Sequence, residues 1–346
     1  MSRSDRFLRA CRKQPVDCTP VWIMRQAGRY LPEYRAVREK VSFLELCKTP
    51  ELAAQVTLQP VDILGVDAAI LFSDILVVCQ AMGAELILED RGPEFPHPVR
   101  GAADVERLHV PDPEVELRYV MDAIRLVRRQ LDGRVPLIGF SGAPWTLAAY
   151  LVEGRTSRSF ETAKGLLLGD EQLAHRLLGK LADALIPYLN AQLAAGAQAL
   201  QIFDSWAGAL SPDDYAVFGA PYLARIVQGL KRDQGQPVIV FGVETGELLK
   251  LLEQTGADVV GVDWRVPLAA ARARVGPRPA LQGNLDPAAL FLPRPQLEAR
   301  VRRVLEQASA AGPGHVFNLG HGILPATPVE NAKAVVELVH SLTARP

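Results

Sequence analysis

The sequence has little cysteine, no long apolar run and no excess of charge of either sign. Its four cysteines lie outside any CxxC pair, and in 346 residues they cannot form the framework of a disulfide-rich protein. No segment approaches the roughly 20 apolar residues that a membrane helix needs. The opening stretch, MSRSDRFLRACRKQ, lacks the apolar centre of a signal peptide. We therefore expect a cytoplasmic protein that does not associate with membranes.

The charge balance limits the ligands that the chain can bind. Lysine and arginine number 38 against 39 acidic residues, which gives a net charge of −1. General nucleic-acid binding needs a net basic field, so we expect no nucleic-acid partner. Any site for an anion must therefore be a local cluster of basic side chains.

Short apolar runs, partly β-branched, recur along the chain and end on polar or glycine residues. Continuous apolarity over four to six residues is typical of strands buried on both faces, as in a parallel sheet covered by helices. Eight such strands are predicted: Val21–Met24, Ala68–Phe72, Pro136–Phe140, Ala199–Phe203, Val238–Phe241, Val259–Val262, Ala280–Leu281 and His315–Phe317.

Helical segments with recognisable starts lie between these runs. In each start a capping residue precedes proline, which is favourable because proline at the first helical position loses no hydrogen bond. Such pairs occur at Thr49-Pro50, Asp112-Pro113, Ser211-Pro212, Asp286-Pro287 and Thr327-Pro328. Leucines recur at helical spacing in residues 170–195, which predicts one long amphipathic helix.

Eight strands alternating with helices favour a (β/α)₈ TIM barrel over a doubly wound sheet. The Rossmann alternative requires GxGxxG after the first strand, and that motif is missing there. The long gaps after the first two strands predict extra helices and loops. Without a long linker or an internal repeat, we expect a single catalytic domain over residues 1–346.

Arg25 and Arg29 follow the apolar run Val21–Met24 directly. Two guanidiniums where a buried strand ends suggest a polyanionic ligand, because each can hold a carboxylate or phosphate through two parallel hydrogen bonds. The alternative is a solvated helix start, which we accept for Arg35 and Arg38.

Other polar side chains also follow the predicted strands. In this fold, side chains at the carboxyl ends of the strands form the active site. The candidates in chain order are Arg25, Gln26 and Arg29; Ser73 and Asp74; Ser141, Trp145 and Tyr150; Asp204 and Ser205; Asp263; Gln282 and Asn284; Asn318 and His321.

Several kinds of chemistry lack their residues at these positions. There is no HExxH and no His/Cys cluster with zinc spacing, and no phosphate loop accompanies Asp74 and Asp204. No lysine stands at a strand end to form a Schiff base. The remaining side chains can hold an anionic substrate and move protons, so we expect neither a metal nor a cofactor.

Each candidate also has a purely structural interpretation. Asp74 and Ser205 can cap the helices that follow them, and Tyr150 can be a core residue with a hydrogen-bonded hydroxyl. His321 lies between two glycines, which favours an exposed turn over the core. For Asp263 we prefer a structural ion pair with the arginine two residues later.

Seven segments of the sequence resemble the uroporphyrinogen decarboxylase family. MRQAGRYLPEYR and GFSGAPWTLAAYLVEG are similar to its two signature segments. FSDIL, FDSWAG, GVDWR, LQGNLDP and NLGHGI also resemble it, in the same order. The resemblance covers about residues 5–340.

This resemblance implies a homodimeric barrel enzyme of haem biosynthesis that uses no cofactor. It implies removal of carbon dioxide from the four acetate side chains of uroporphyrinogen III to give coproporphyrinogen III. Arg25 and Arg29 correspond to residues that bind substrate carboxylates, and Asp74 to the carboxylate that meets the pyrrole NH groups. The other corresponding positions are Gln26 within the first signature, Phe203 beside the macrocycle, and Tyr150, Ser205 and His321 in the cleft.

The expected chemistry agrees with these residue types. Loss of carbon dioxide from an acetate leaves a carbanion, and a pyrrole protonated on a ring carbon can accept its electrons. Asp74 is then the candidate that stabilises the cationic ring. The proton donor stays open, since an arginine is a reluctant acid, whereas Tyr150 and His321 are chemically easier.

Two other functions compete with this one. Corrinoid-linked methyltransferases share the barrel, but they carry a His-x-Cys and a later cysteine for zinc, an arrangement that the four cysteines here lack. A non-enzymatic tetrapyrrole carrier would also explain the arginines, but it needs no proton donor at a strand end. Release of carbon dioxide from uroporphyrinogen distinguishes the decarboxylase from the carrier.

Overall fold

A computed structural model describes residues 3–89 and 92–345 of the chain. Its strands are β1 (Ala69–Ile70), β2 (Ile87–Glu89), β3 (Gly92–Glu94), β4 (Leu137–Gly142), β5 (Ala199–Asp204), β6 (Val238–Gly242), β7 (Val259–Gly261), β8 (Ala280–Gln282) and β9 (His315–Val316). Strands β2 and β3 form a separate antiparallel hairpin. The other seven form one parallel sheet in the order β1-β4-β5-β6-β7-β8-β9.

The parallel strands are buried on both faces, as their continuous apolar runs predict. Every residue of β4, β6, β7 and β8 is buried. Side chains alternate across each strand, so one set packs inside the curled sheet and the other faces the helices. Ile138, Ala199, Ile239, Val259 and Ala280 belong to the inner cluster, together with apolar residues of the first helix.

The first predicted strand, Val21–Met24, is reduced to a single bridge between Val21 and Phe317. Its backbone nevertheless bonds to both edges of the sheet. The Phe317 N–H donates to the Pro20 carbonyl at 2.9 Å, and the Asp67 N–H donates to the Val21 carbonyl at 2.7 Å. This segment therefore lies between β9 and β1, where the eighth strand of a barrel belongs. The predicted TIM-like α/β fold is confirmed.

The helices surround this sheet, and none of those in the described residues is long and apolar enough to cross a membrane. They are α1 (Arg3–Cys11), α2 (Pro32–Arg38), α3 (Phe43–Lys48), α4 (Pro50–Leu64), α5 (Val77–Ala81), α6 (Ala102–Arg107), α7 (Arg118–Leu131), α8 (Pro144–Glu153), α9 (Glu161–Gly169), α10 (Glu171–Ala195), α11 (Pro212–Phe218), α12 (Ala220–Gly229), α13 (Leu249–Gln254), α14 (Leu268–Val275), α15 (Arg294–Ala310) and α16 (Val329–Thr343), with 3₁₀ turns at Ala207–Ala209, Gly246–Leu248 and Pro287–Phe291.

Three of the five predicted helix starts are confirmed. Helices begin at Pro50 and Pro212, and a 3₁₀ turn begins at Pro287. Ser211 and Asp286 cap through their side chains, at 3.1 Å and 2.9 Å to main-chain N–H groups. The predicted extra helices after the first strand segment are α2, α3 and α4, and the predicted long helix of residues 170–195 is α10.

The other two predicted starts are wrong in detail. Asp112 and Pro113 lie in a turn, and α7 begins only at Arg118. The Glu116 carboxylate accepts a hydrogen bond from the Asp112 N–H at 2.6 Å, which folds the segment back before the helix can start. At Thr327-Pro328, α16 begins one residue late and has no side-chain cap.

Candidate active site

Most of the predicted site residues lie on loops at the carboxyl ends of neighbouring strands, while Phe203 lies in β5 and Tyr150 in α8; a barrel of this type places its active site at these ends. Arg25 is central to the group. Its positive charge acts on the pKa of Asp74, Tyr150 and His321. The structure therefore brings together residues that are up to about 300 positions apart in the chain.

The Arg25 backbone has an unusual conformation for a residue with a side chain. Its φ is 63°, in the left-handed region that non-glycine residues rarely adopt. Flanking hydrogen bonds hold it, from the Gln26 N–H to the Ile23 carbonyl at 2.8 Å and from the Ile323 N–H to the Met24 carbonyl at 2.9 Å. The loop is thereby tied to the segment after β9.

Gln26 is fully buried, and both ends of its amide are used within the protein. Its Oε1 accepts from the Ile23 N–H at 3.1 Å, and its Nε2 donates to the Ala68 carbonyl at 3.1 Å. These contacts fasten the arginine loop to the chain just before β1. The Gln26 amide is thus used within the protein and helps to fix the position of the Arg25 loop.

Arg25 and Arg29 are both exposed. In the described part of the chain, neither guanidinium has a hydrogen bond or an ion pair. By contrast, Arg35 donates to the Arg29 and Tyr30 carbonyls at 2.8 Å and 3.2 Å, as suits a residue outside the site. Two unpaired guanidiniums on one loop are suited to bind carboxylates.

Asp74 is partly buried and uses one carboxylate oxygen locally. Its Oδ1 accepts a hydrogen bond from the Leu76 N–H at 2.8 Å, so the capping interpretation holds for that oxygen. Burial raises its pKa, while the Leu76 N–H and the Arg25 charge favour the ionised form. The second oxygen makes no hydrogen bond to a described residue and can accept from a ligand.

Tyr150 lies in the last turn of α8 with its ring against Trp206, at 5.8 Å between centroids and 62° between planes. Burial raises the pKa of its hydroxyl, and the charges of Asp74 and Arg25 act on it as well. The residue is partly buried and packs against the main hydrophobic core.

His321 is neutral at physiological pH. Burial, with the positive charges of Arg25 and Arg265, lowers its pKa to about 4. Its Nδ1 accepts a hydrogen bond from the Gly322 N–H at 2.7 Å, so Nε2 carries the proton. The ring meets Trp264 edge-on at 6.2 Å between centroids. His321 can therefore donate a hydrogen bond through Nε2.

The glycines that flank His321 are explained by close approach. A Cβ at Gly320 would overlap the Trp264 backbone, and one at Gly322 would overlap the Arg25 side chain. The sequence interpretation of an exposed turn missed this reason. Both glycines bring neighbouring loops into contact around the imidazole.

Phe203 and Ser205 stand at the end of β5. The Phe203 ring lies between Phe140 and Phe241, at centroid distances of 5.7 Å and 6.4 Å, and is partly buried. Ser205 does not cap the following 3₁₀ turn, whose N-cap residue is Trp206 and which has no side-chain cap hydrogen bond. An apolar ring and an uncommitted hydroxyl thus adjoin the site.

Two carboxylates among the strand-end candidates are structural. Asp204 is fully buried, accepts from the hydroxyls of Thr146 at 2.6 Å and Tyr215 at 2.7 Å, and has a pKa raised by burial to about 6. Asp263 is buried and paired with Arg265 at 3.4 Å, as the sequence interpretation preferred.

Sequence reasoning missed the tryptophans that support the site. Trp206 packs on Tyr150, and Trp264 packs on His321 beneath the Arg265 guanidinium, which lies 3.9 Å from its ring centroid. Both tryptophans stand within segments that carry the family resemblance, directly after candidate residues, so their position was the available signal. The described residues contain no group of three or more His, Cys, Asp or Glu that could hold a metal ion.

Known proteins that are similar in sequence identify the family of this chain. The family model described as uroporphyrinogen decarboxylase (URO-D) matches residues 2–342. The chain is 59% identical over 338 residues to a uroporphyrinogen decarboxylase of Myxococcus xanthus, covering 97% of this chain and 96% of that one. It is 55% identical over 342 residues to one of Geobacter metallireducens, covering 99% and 100%.

Solved structures show the same architecture at low sequence identity. A methyltransferase from Methanosarcina mazei aligns with a TM-score of 0.81 at 23% identity, over 99% of both chains. A B12-independent methionine synthase from Shewanella aligns with a TM-score of 0.56 at 15% identity, over 88% of this chain and 91% of that one. At these identities the likeness concerns the fold alone.

Proposed function

Since this chain belongs to the uroporphyrinogen decarboxylase family and is a carboxy-lyase of tetrapyrrole biosynthesis, we propose that its barrel mouth carries the reaction. The proposed substrate is uroporphyrinogen III, whose four acetate side chains become methyl groups with release of four molecules of carbon dioxide. The product is coproporphyrinogen III. The observation that carries this assignment of the site is the grouping of Asp74 and Tyr150 around Arg25 at the strand ends.

Arg25 and Arg29 are proposed to hold carboxylates of the substrate. The substrate carries eight carboxylates, whereas the net charge of the protein is only −1. Local guanidiniums without internal partners therefore provide the attraction. Carboxylates held far from the reacting acetate also fix the orientation of the macrocycle.

Asp74 is proposed to accept hydrogen bonds from pyrrole NH groups at the centre of the macrocycle. Protonation of a pyrrole ring carbon creates a cation, and a nearby carboxylate stabilises that charge. Partial burial strengthens the attraction because the surrounding dielectric is lower than in water.

The reaction then proceeds in balanced steps. A proton adds to a ring carbon, and the carbon–carbon bond to the carboxylate breaks, releasing carbon dioxide. The electron pair of that bond neutralises the cationic ring and leaves an exocyclic methylene. A second proton adds to the methylene carbon, and the ring carbon loses its proton, so each cycle consumes one proton.

We propose Tyr150 as the proton donor at the reacting side chain. Its hydroxyl lies within the fields of Asp74 and Arg25. His321 is assigned a different part, because a pKa of about 4 leaves no imidazolium at neutral pH. Its Nε2–H is proposed to bind a substrate carboxylate, with Ser205 as a second polar contact and Phe203 against the macrocycle face. Gln26 supports the arginine loop.

The direct test is conversion of uroporphyrinogen by the purified protein. We expect stoichiometric carbon dioxide and coproporphyrinogen, measured by gas detection and by chromatography of the oxidised porphyrins. Tight binding of uroporphyrinogen without carbon dioxide release would instead identify a tetrapyrrole carrier.

The proposed assembly is a homodimer of one-domain subunits in the cytosol. The dimer rests on the family resemblance, and the single domain on one family match over residues 2–342. All four cysteines are buried and unpaired, as suits a reducing compartment. Light scattering with simultaneous activity measurement tests the dimer, and a fully active monomer would contradict it.

A further inference from the structure

Trp206 lies between two aromatic rings beside the proposed site. Its indole meets Tyr150 at 5.8 Å between centroids and Phe160 at 4.9 Å. The side chain is only partly buried, so its position does not follow from core packing alone. The backbone hydrogen bonds of Trp206 and its indole N–H indicate what this position serves.

The Trp206 backbone is fastened to α8, the helix that carries Tyr150. Its N–H donates to Thr146 Oγ1 at 3.1 Å, and its carbonyl accepts from the Trp145 indole at 2.8 Å. Thr146 lies one helical turn before Tyr150 on the same face of α8. These bonds fix the position of Trp206 relative to Tyr150.

A buried carboxylate, Asp204, holds the Thr146 side chain to which the Trp206 backbone is bonded. The Thr146 hydroxyl donates to Asp204 at 2.6 Å, and the Tyr215 hydroxyl donates to the other oxygen of Asp204 at 2.7 Å. Asp204 is fully buried at the end of β5. The network therefore ties α8, the strand end and the Trp206 loop into one unit.

The indole N–H of Trp206 is the unexplained part of this arrangement. Nε1 is buried and has no hydrogen-bond partner of good geometry among the described residues. An indole nitrogen can only donate, so leaving it unpaired in a buried position is unfavourable. The N–H favours the ionised form of the Tyr150 hydroxyl, against the larger effect of burial, which raises its pKa.

We propose that Trp206 is a positioning residue of the decarboxylation, whose indole N–H donates a hydrogen bond to the Tyr150 oxygen when substrate is bound. This inference rests on the proposed function of Tyr150. A hydroxyl oxygen that accepts from Trp206 must direct its own hydrogen elsewhere, and the cleft is the side that remains. The same bond stabilises the phenolate that forms when the proton leaves.

The test starts with Trp206→Phe, which keeps a ring against Tyr150 and removes only the N–H. We expect kcat to fall about tenfold, as for loss of one hydrogen bond made in the transition state. KM should change by less than about twofold, because Trp206 touches no bound carboxylate in this proposal. Thermal melting and circular dichroism establish that the variant is folded. An unchanged kcat would overturn the proposal.

A double-mutant cycle separates Trp206 from Tyr150. In a Tyr150→Phe background, Trp206→Phe should change kcat by less than about twofold, because the oxygen that it serves is gone. A full tenfold loss in both backgrounds would show that Trp206 acts independently, which overturns the inference. Failure of the proposed function itself is visible earlier, as absence of carbon dioxide release by the unaltered enzyme.

A second variant guards against a folding defect. Trp206→His keeps a ring N–H, and we expect it to be at least about threefold faster than Trp206→Phe. Equal rates for these two variants would contradict a role for the N–H. If Trp206→Phe does not fold, Trp206→Leu, which also lacks the N–H, is measured with and without Tyr150→Phe and provides the same cycle.

Discussion

Asp74 presents a carboxylate whose two oxygens serve different purposes. Oδ1 accepts from the Leu76 N–H at 2.8 Å, whereas Oδ2 has no hydrogen bond to the described residues. One oxygen therefore maintains the loop, and the other is proposed to meet the pyrrole NH groups. A substitution that keeps the shape and removes the charge separates these two tasks.

Asp74→Asn should fold normally, because an amide oxygen can still accept from the Leu76 N–H. We expect kcat to fall by about 10²–10³, the usual cost of losing one preorganised stabiliser of transition-state charge. Coproporphyrinogen formation and the melting temperature are measured together. The matched control is Asp62→Asn at an exposed surface carboxylate. Activity within threefold of the wild type would remove Asp74 from the mechanism.

Arg29→Ala tests the binding of substrate carboxylates. We expect KM to rise at least about tenfold with a nearly unchanged kcat, because a charge-assisted hydrogen bond is lost in the ground state and the transition state alike. Steady-state kinetics with uroporphyrinogen gives both constants. Arg118→Ala, at a side chain that is 71% exposed, provides the control. If neither constant moves, Arg29 is not an anchor.

At the scale of single residues, the sequence predicted which side-chain types form the site better than it predicted their burial and charge state. The types and spacing of Arg25, Asp74 and Tyr150 indicated an anion site at strand ends. The neutral state of His321 could not be predicted, because its low pKa depends on burial and on Arg265, 56 positions away. Nor could the sequence show that Asp204 is buried and accepts hydrogen bonds from two hydroxyl groups.

At the scale of elements, the loops around the mouth support one another through close contacts. The segment after β9 carries Gly322, and the Arg25 side chain lies directly against it. Strand positions were predictable, since continuous apolar runs mark buried parallel strands. The contact between two loops almost 300 residues apart follows from the barrel's closure, which no local pattern contains.

Gly322→Ala should displace the Arg25 side chain, because the new methyl group would occupy its place. We expect KM to rise about tenfold while the melting temperature changes by only a few degrees. Gly165→Ala in α9 is the matched control, since a Cβ there meets nothing within 4 Å. Equal KM values for the two variants would show that Arg25 does not depend on this contact.

At the scale of the whole molecule, a partly buried histidine is expected to link stability to pH. His315 in β9 donates through Nε2 to the Gly283 carbonyl at 2.6 Å, and its buried Nδ1 has no partner among the described residues. Burial lowers its pKa to about 4, whereas in the unfolded chain it is about 6.5. Between about pH 6.5 and pH 4 the unfolded state therefore binds a proton that the folded state does not.

His315→Gln should remove this part of the pH dependence. Relative to the variant, the free energy of unfolding of the wild type should be constant above about pH 6.5. It should fall by about 3 kcal/mol as the pH is lowered from about 6.5 to about 4. Urea unfolding at a series of pH values measures it. His97→Gln, at a histidine that is 78% exposed, is the control. Parallel stability curves for His315→Gln and the wild type would refute the link.

The overall architecture was largely accessible from the sequence, with one instructive exception. Val21–Met24 was predicted as a full strand, yet it has only one bridge and a few backbone hydrogen bonds to Phe317 and Asp67. Its apolar residues are buried as expected, but the sharp turn into Arg25 at φ 63° prevents regular pairing. Local apolarity predicts burial and does not determine hydrogen-bond register.

The stretch that completes the barrel is thus also the stretch that leads into the substrate-binding arginines. We expect this segment, which has so few backbone hydrogen bonds, to unfold locally at a lower temperature than the helices around it. Enzyme activity should then be lost on mild heating while the helical circular-dichroism signal is unchanged. Bound porphyrinogen, which contacts the arginines and the rest of the site together, should raise the temperature at which activity is lost.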